Sequence, residues 1–236
     1  MKAEIENRKN ELINVGNGVD IGCRLHLNDK SFYNLIYFHG NAELVSEYNE
    51  FAEFYKKLKI NFIPVDYRGY GFSSGDPNFS TMIADSNKIF NHMKSLLKIR
   101  GFKKPIFLMG RSLGSASVLE IVQNYQTEVG GIIIESGFAY VEPFFKLFGI
   151  NPKQFGLNHK NILNHISKIK EYFGPLFIIH AKNDQIINFN EGVDLYQNSS
   201  SKIKTKYWVN GAHHNNIIQI MGLEYFKLIH NFLYNN

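Results

Sequence analysis

Three side-chain types are spaced in this chain as acyl transfer would need them: a serine between glycines, a loop aspartate, and a histidine near the C-terminus. The serine is Ser112, within Gly110-Arg111-Ser112-Leu113-Gly114. An apolar run, Pro105-Ile106-Phe107-Leu108-Met109, precedes it, and Ser115-Ala116-Ser117-Val118-Leu119-Glu120-Ile121-Val122, which reads as a helix, follows. A serine at the sharp turn from a strand into a helix is a nucleophile elbow. Glycine is expected two residues to either side, because a Cβ there would collide with the neighbouring strand or helix. The strained turn lifts the hydroxyl beyond the sheet edge, where a carbonyl carbon can reach it.

A serine hydroxyl needs a base, and the base needs an acid that orients its ring. On doubly wound sheets, working residues gather beyond the carboxyl ends of the strands. Lys182-Asn183-Asp184 follows one apolar run, Leu176-Phe177-Ile178-Ile179-His180, and Asp184 is the only carboxylate in that loop before Glu191. An aspartate there can equally serve to cap a turn, and Glu135, at the end of the preceding strand, is the alternative acid. Gly211-Ala212-His213-His214 follows the run ending at Val209. His214 is the expected base, since it lies at the turn just before the last helical stretch, and His213 is expected to be exposed or supporting. His26, His92 and His230 fall within strands or helices and read as packing residues. The chain order of serine, acid, histidine is the one that accompanies an elbow on this kind of sheet. The tetrahedral oxyanion needs N–H donors. One is expected from Leu113, next to the nucleophile, and the second from Asn41 in the loop Phe38-His39-Gly40-Asn41-Ala42, where Gly40 lets the backbone approach the substrate.

These residues need a sheet to bring them together. Short apolar runs at Leu35–Phe38, Asn61–Val65, Met109 and its neighbours, Gly131–Glu135, Leu176–His180 and Lys204–Val209 alternate with helical patterns. The helical stretches run from Leu44 to Leu58, from an N-cap at Thr81 to about Ile99, after the elbow, and through Leu223, Phe226, Ile229 and Leu233. Continuous apolar strands separated by helices predict an α/β fold with a mostly parallel sheet covered on both faces. Ile13–Val15 and Ile21–Leu27 are expected to add an antiparallel pair at one edge. The glycine-rich loop from Asp66 to Gly75 reads as structural: Asp66 helps to place the elbow, and Arg68 pairs with it or with a neighbouring carboxylate. No repeat or linker interrupts the 236 residues, which are read as a single domain.

Bulk composition narrows the class further. Hydrophobic residues at 44% and charged residues at 20% are ordinary for a globular protein, and a net charge of +5 from scattered lysines reads as solvated surface and not as a nucleic-acid footprint. No apolar run approaches the ~18 residues of a membrane span, so no stable membrane insertion is expected. Cys23 is the single cysteine, which fits a reducing compartment. The first eight residues lack the apolar centre of a secretory signal. A cytoplasmic location is therefore expected. With no dinucleotide glycine fingerprint and no phosphate-loop lysine, no organic cofactor is expected, and the proposed chemistry needs no metal.

Taken together, His39-Gly40-Asn41-Ala42-Glu43, Asp66-Tyr67-Arg68-Gly69-Tyr70-Gly71 with Ser73 and Gly75, the Gly110 to Gly114 elbow, Glu135-Ser136 and His214-Asn215 resemble the α/β-hydrolase superfamily. Its serine-aminopeptidase-like branch, with the protein depalmitoylases of that type nearby, is the closest in pattern, from about residue 34 to the C-terminus. The resemblance implies an α/β-hydrolase fold with Ser112 as nucleophile, Asp184 as acid, His214 as base, and Asn41 and Leu113 at the oxyanion positions. Two departures stand out. The branch often has Gly or Thr where this chain has His213, and the depalmitoylases carry an N-terminal cysteine cluster that this sequence lacks, so a membrane-anchored depalmitoylase role is not expected.

From about residue 136 to 172 the alternation of strand and helix stops, where α/β hydrolases insert a lid or cap. The stretch is rich in rings, and Phe138, Tyr140 and Phe144 are the expected substrate-binding wall, with plain packing onto the sheet as the alternative. Such a wall accepts a fatty thioester and an aryl ester alike. The expected activity is therefore hydrolysis of a carboxylic ester or thioester, on a small-molecule or acylated substrate, through an acyl-enzyme. An aminopeptidase or amidase, or an acyltransferase, would use the same triad, and a non-catalytic binding module of the same fold is the remaining alternative.

Overall fold

The computed structural model describes residues 8–141 and 164–236. Eight strands form one sheet in the order β1-β2-β4-β3-β5-β6-β7-β8. They are β1 (Arg8–Asn14), β2 (Asp20–His26), β3 (Tyr33–Phe38), β4 (Ile60–Val65), β5 (Ile106–Arg111), β6 (Val129–Glu135), β7 (Leu176–Ala181) and β8 (Lys204–Val209). β1 pairs antiparallel with β2, and β2 antiparallel with β4, whereas β4, β3, β5, β6, β7 and β8 run parallel. The expected edge pair is thus present, in the register Ile13 opposite Ile21.

The central strands are buried along their whole length because both faces are covered. All six residues of β4 and all six of β7 are buried. Alternation then divides them between two cores. Ile36, Phe38, Ile63, Val65, Leu108, Ile134 and Ile178 pack on one face, against the helices α2 (Phe79–Ile99), α3 (Gly114–Tyr125), α4 (His165–Glu171) and α5 (Phe189–Asn198). Leu35, Tyr37, Phe62, Phe107, Ile133, Phe177 and Ile179 point to the other face, where α1 (Asn49–Lys57), α6 (Ile217–Met221) and α7 (Leu223–Tyr234) close over them. This period of two is what a strand imposes on neighbouring side chains.

Two helix starts differ from the sequence expectation. The long helix is capped by Asn78 and not by Thr81: Asn78 Oδ1 accepts from the N–H groups of Ser80 at 2.9 Å and Thr81 at 3.3 Å. Thr81 instead turns its own hydroxyl back to the Asn78 carbonyl at 3.0 Å. Capping depends on which oxygen meets the free N–H groups, and the two residues are close enough in sequence to exchange that role. The helix expected from Leu44 to Leu58 opens with a 3₁₀ turn, Val45–Tyr48, before α1 begins.

The strand order reverses between β3 and β5. β3 is followed in sequence by β4 on one side and later flanked by β5 on the other. A crevice opens beyond the carboxyl ends of strands at such a switch point. The loop after β3, containing His39 to Glu43, and the elbow after β5 both lie there. Among the described residues, no helix is long and apolar enough to cross a membrane.

Candidate active site

Ser112 occupies the turn between β5 and α3 with φ of 50°, a left-handed conformation rare for a residue with a Cβ. Its conformation is held by bonds on both sides. Ser112 N–H donates to the Glu135 carbonyl at 2.8 Å, and the Ser112 carbonyl accepts from Ser115 N–H at 3.1 Å and Ser115 Oγ at 2.6 Å. The steric demand on the glycines is visible in the packing. A Cβ on Gly110 would lie 2.5 Å from the Gly114 carbonyl oxygen, and one on Gly114 would run into the Phe38 carbonyl, with the His39 oxygen at 2.9 Å. These are backbone atoms of the adjoining helix and strand and cannot swing aside. Ser112 is 5% exposed, and Leu113 stands at the N-cap of α3, so the helix N-terminus faces the same crevice.

The loop after β3 is braced from beneath. His39 is fully buried, with Nδ1 at 2.7 Å from the Gly40 carbonyl and Nε2 at 3.1 Å from Asp66 Oδ1. Asp66 Oδ1 also accepts from Val45 N–H at 3.1 Å, and Tyr67 donates its hydroxyl to the His39 carbonyl at 2.6 Å. Asp66 therefore holds the loop that carries Asn41, where the sequence placed it in support of the elbow. Asn41 is exposed, and its side-chain oxygen accepts from the Tyr70 hydroxyl at 2.6 Å. Among the described residues, the N–H groups of Asn41 and Leu113 have no hydrogen-bond acceptor. Of the two expected partners, Arg68 takes the neighbouring carboxylate and not Asp66: it meets Asp85 of α2 in a two-pronged contact of 2.6 and 2.9 Å.

Asp184, in the loop after β7, divides its oxygens between two tasks. Oδ1 accepts from the N–H groups of Ile186 at 2.9 Å and Ile187 at 2.8 Å, which caps the turn. Oδ2 lies 2.7 Å from His214 Nδ1. Burial pushes the Asp184 carboxyl up, but the contact with His214 and the two N–H groups outweigh it and hold the carboxyl below its usual range. The two readings of this aspartate, turn cap and partner of the base, are therefore met by one side chain. His214 is buried, whereas the adjacent His213 is exposed with Nδ1 at 3.0 Å from the Asn183 carbonyl. Glu135, the alternative acid, is tied elsewhere: Oε1 lies 3.3 Å from Arg111 Nε, and Oε2 accepts from the Tyr225 hydroxyl at 2.5 Å.

Two contributors escaped the sequence reading. His180, four residues before Asp184, is fully buried with Nε2 at 3.0 Å from the Ile187 carbonyl and 3.6 Å from Asp184 Oδ2. A carbonyl can only accept, so Nε2 carries the proton there, and burial pushes the imidazole pKa down toward the neutral form. The second is the guanidinium of Arg111, which meets Glu43, Glu135, the His214 carbonyl and Asn215. A histidine closing an apolar strand beside a loop aspartate, and an arginine inside the elbow, were the available signals.

The ring-rich segment gives a mixed picture. Phe138 is 1% exposed and packs its ring 4.5 Å from that of His165, within the core beneath the sheet edge. Its ring is engaged in packing there. Tyr140 is 44% exposed, its N–H bound to Glu191 at 2.9 Å. Phe144 lies outside the described residues. A cleft of about 220 Å³ is instead found beside the base loop, lined by Glu43, Tyr48, Arg111, Glu135, Asn215 and Ile217 among others.

This strand order, with an elbow after β5 and a carboxylate–imidazole pair on the loops after β7 and β8, defines an α/β hydrolase. The family described as serine aminopeptidase, S33, matches residues 30–155. The chain belongs to that family. Among curated relatives it is 26% identical over 205 residues to alpha/beta hydrolase domain-containing protein 17C of Xenopus laevis, covering 85% of this chain and 62% of the relative. The human protein of the same name is 26% identical over 202 residues, covering 84% of this chain and 57% of the relative. The chain thus spans about three fifths of the length of these relatives. Similar solved structures include esterase Pf2001 of Pyrococcus furiosus, with a TM-score of 0.78 at 19% identity over 100% of this chain and 95% of that one. Est1E of Butyrivibrio proteoclasticus with bound ferulic acid gives 0.73 at 16% identity, covering 93% and 98%. A monoacylglycerol lipase of Paleococcus ferrophilus gives 0.68 at 17% identity, covering 86% and 94%.

Proposed function

We propose that this chain is a single-domain serine hydrolase that cleaves a carboxylic ester or thioester through an acyl-enzyme. The observation that carries the reading is the buried contact of 2.7 Å between Asp184 and His214, made between the loops after β7 and β8, at the same carboxyl edge of the parallel sheet as the strained Ser112. Asp184 accepts the Nδ1 proton of His214, which leaves Nε2 free to take the Ser112 proton as the hydroxyl attacks the acyl carbon. The N–H groups of Leu113 and Asn41 hold the oxyanion, and the positive end of α3 adds to their field. The imidazolium then protonates the leaving alcohol or thiol. Water, activated by His214, attacks the acyl-enzyme carbonyl, and collapse of that second intermediate frees the carboxylic acid and returns the proton to Ser112.

An ester or thioester is favoured over an amide by the structural likeness to an esterase and a lipase, although the family name includes an aminopeptidase. A cytoplasmic location is supported by the cysteine count: Cys23 is the single cysteine of the sequence, so the chain forms no internal disulfide. A fluorophosphonate probe tests the reading. Wild-type protein is expected to be labelled and Ser112→Ala not; a folded wild type that resists the probe and turns over no chromogenic ester would replace the hydrolase reading with a binding role. Side-by-side rates on p-nitrophenyl esters, acyl thioesters and aminoacyl anilides rank the leaving groups.

A further inference from the structure

We propose that Arg111 is a positioning residue that locks the nucleophile elbow to the loop carrying the base and to the loop carrying the second oxyanion donor. The inference rests on the hydrolase reading above and adds to it a residue for which the sequence assigned no role.

Arg111 is the last residue of β5 and directly precedes Ser112. Its Nη2 donates to the backbone carbonyl of His214 at 2.8 Å and to Asn215 Oδ1 at 2.9 Å. Its Nη1 donates to Glu43, whose other oxygen accepts the N–H of Gly40 at 2.7 Å, immediately before Asn41. Its Nε lies 3.3 Å from Glu135, the residue whose carbonyl accepts the Ser112 N–H. One planar group thus touches the base residue itself, the brace of the oxyanion loop, and the strand end that fixes the nucleophile.

The base loop is already joined to the acid loop. Lys182 N–H donates to the Val209 carbonyl at 2.9 Å, Asn183 N–H to the Ala212 carbonyl at 3.1 Å, and His213 Nδ1 reaches Asn183. Asp184 and His214 therefore form one unit. What sets that unit against Ser112 is a separate matter, and Arg111 is the side chain that bridges to it from the elbow strand. Its guanidinium is 12% exposed and Glu135 is 2% exposed. Burial opposes the cation, and the carboxylates of Glu135 and Glu43 hold it protonated. A lysine could not replace it, because one ammonium cannot present donors along several in-plane directions to four separate acceptors.

The test uses Arg111→Ala and Arg111→Lys with a p-nitrophenyl ester, alongside fluorophosphonate labelling. A mis-set base lowers turnover more than binding. Arg111→Ala is expected to lose roughly 100-fold in kcat with KM changed by less than about threefold, since a displacement of ångström size costs about that much. Arg111→Lys is expected to recover little of it. The cleft beside Arg111 gives a second readout. Free guanidinium ion, at a concentration that does not denature, is expected to restore at least about tenfold of the lost kcat in Arg111→Ala, while methylammonium, lacking the planar fork, does not. If Arg111→Ala fails to fold, exposed Asn215 decides: Asn215→Ala is expected to lower kcat about three- to tenfold at constant KM. The proposal is overturned by a folded Arg111→Ala with kcat near wild type, by a loss that guanidinium leaves untouched, or, in the fallback, by an Asn215→Ala variant equal to wild type. Wild type that is labelled and active while Arg111→Ala matches it removes only this inference; wild type that neither labels nor turns over ester removes the hydrolase reading and this inference with it.

Discussion

Asp184→Asn separates the two tasks of the loop carboxylate. In the wild type, Oδ1 caps the turn through Ile186 and Ile187, and Oδ2 faces His214 Nδ1. An asparagine can keep its carbonyl oxygen on the two N–H groups, so the loop retains its shape. Its NH₂ then faces His214 Nδ1, which must become the acceptor. The imidazole proton moves to Nε2, the nitrogen that has to receive the Ser112 proton, and the negative charge that steadied the imidazolium is gone. The same change in serine-protease triads costs about 10⁴-fold in kcat, and a loss of about 10³- to 10⁴-fold, roughly 4–5.5 kcal/mol of transition-state stabilisation, is expected here. The stability effect runs separately. The Asp184 carboxyl is held below its usual range in the folded state, so its stabilising contribution is present above the unfolded pKa of about 4 and is lost as pH falls through the lower folded value. Asp184→Asn removes that dependence, and Asp184→Ala additionally strands two N–H groups at a cost of about 1–3 kcal/mol. The assay is kcat and KM on a p-nitrophenyl ester at pH 8, paired with urea unfolding. A folded Asp184→Asn retaining more than about a tenth of wild-type kcat would refute the argument, since neither the tautomer nor the charge would then matter.

Other expectations follow from the same geometry. His214→Ala should abolish ester turnover, while His213→Ala, whose ring is exposed and bound to the Asn183 carbonyl, should lower kcat by less than about tenfold; the reverse ranking would assign the base to the other imidazole. Gly114→Ala drives a Cβ into the Phe38 carbonyl and should cost about 3 kcal/mol or more of stability in urea unfolding; an unchanged midpoint would contradict the steric reading of the elbow. Burial beneath Phe138 pushes His165 down to about 3. A depressed imidazole leaves stability intact above the unfolded value near 6.5 and erodes it as pH falls toward the folded one, at up to about 1.4 kcal/mol per pH unit. His165→Gln should flatten the unfolding free energy between about pH 6 and 4, and a slope equal to wild type would argue against a buried neutral ring.

The strands, the elbow and the order of the candidate residues are legible in the chain, because each is written in close neighbours. Apolar runs of strand length, glycines two residues either side of Ser112, and loops falling after Ala181 and Val209 need no knowledge of distant contacts. Ile13 opposite Ile21 is likewise a local pairing. Which donor meets which acceptor is settled by contacts between distant elements. His213 and His214 are adjacent and chemically identical, and what distinguishes them is the side of the loop that faces Asp184, 30 residues away. Arg68 turned to Asp85 and not to Asp66 because α2 brings that carboxylate over the loop. Arg111 and His214 are 103 residues apart and meet only because β6, β7 and β8 stack in sequence beyond β5. Local sterics fix the chain's path over a few residues, whereas hydrogen-bond partners are set by the order in which strands assemble, and that order depends on how the two cores close over the sheet.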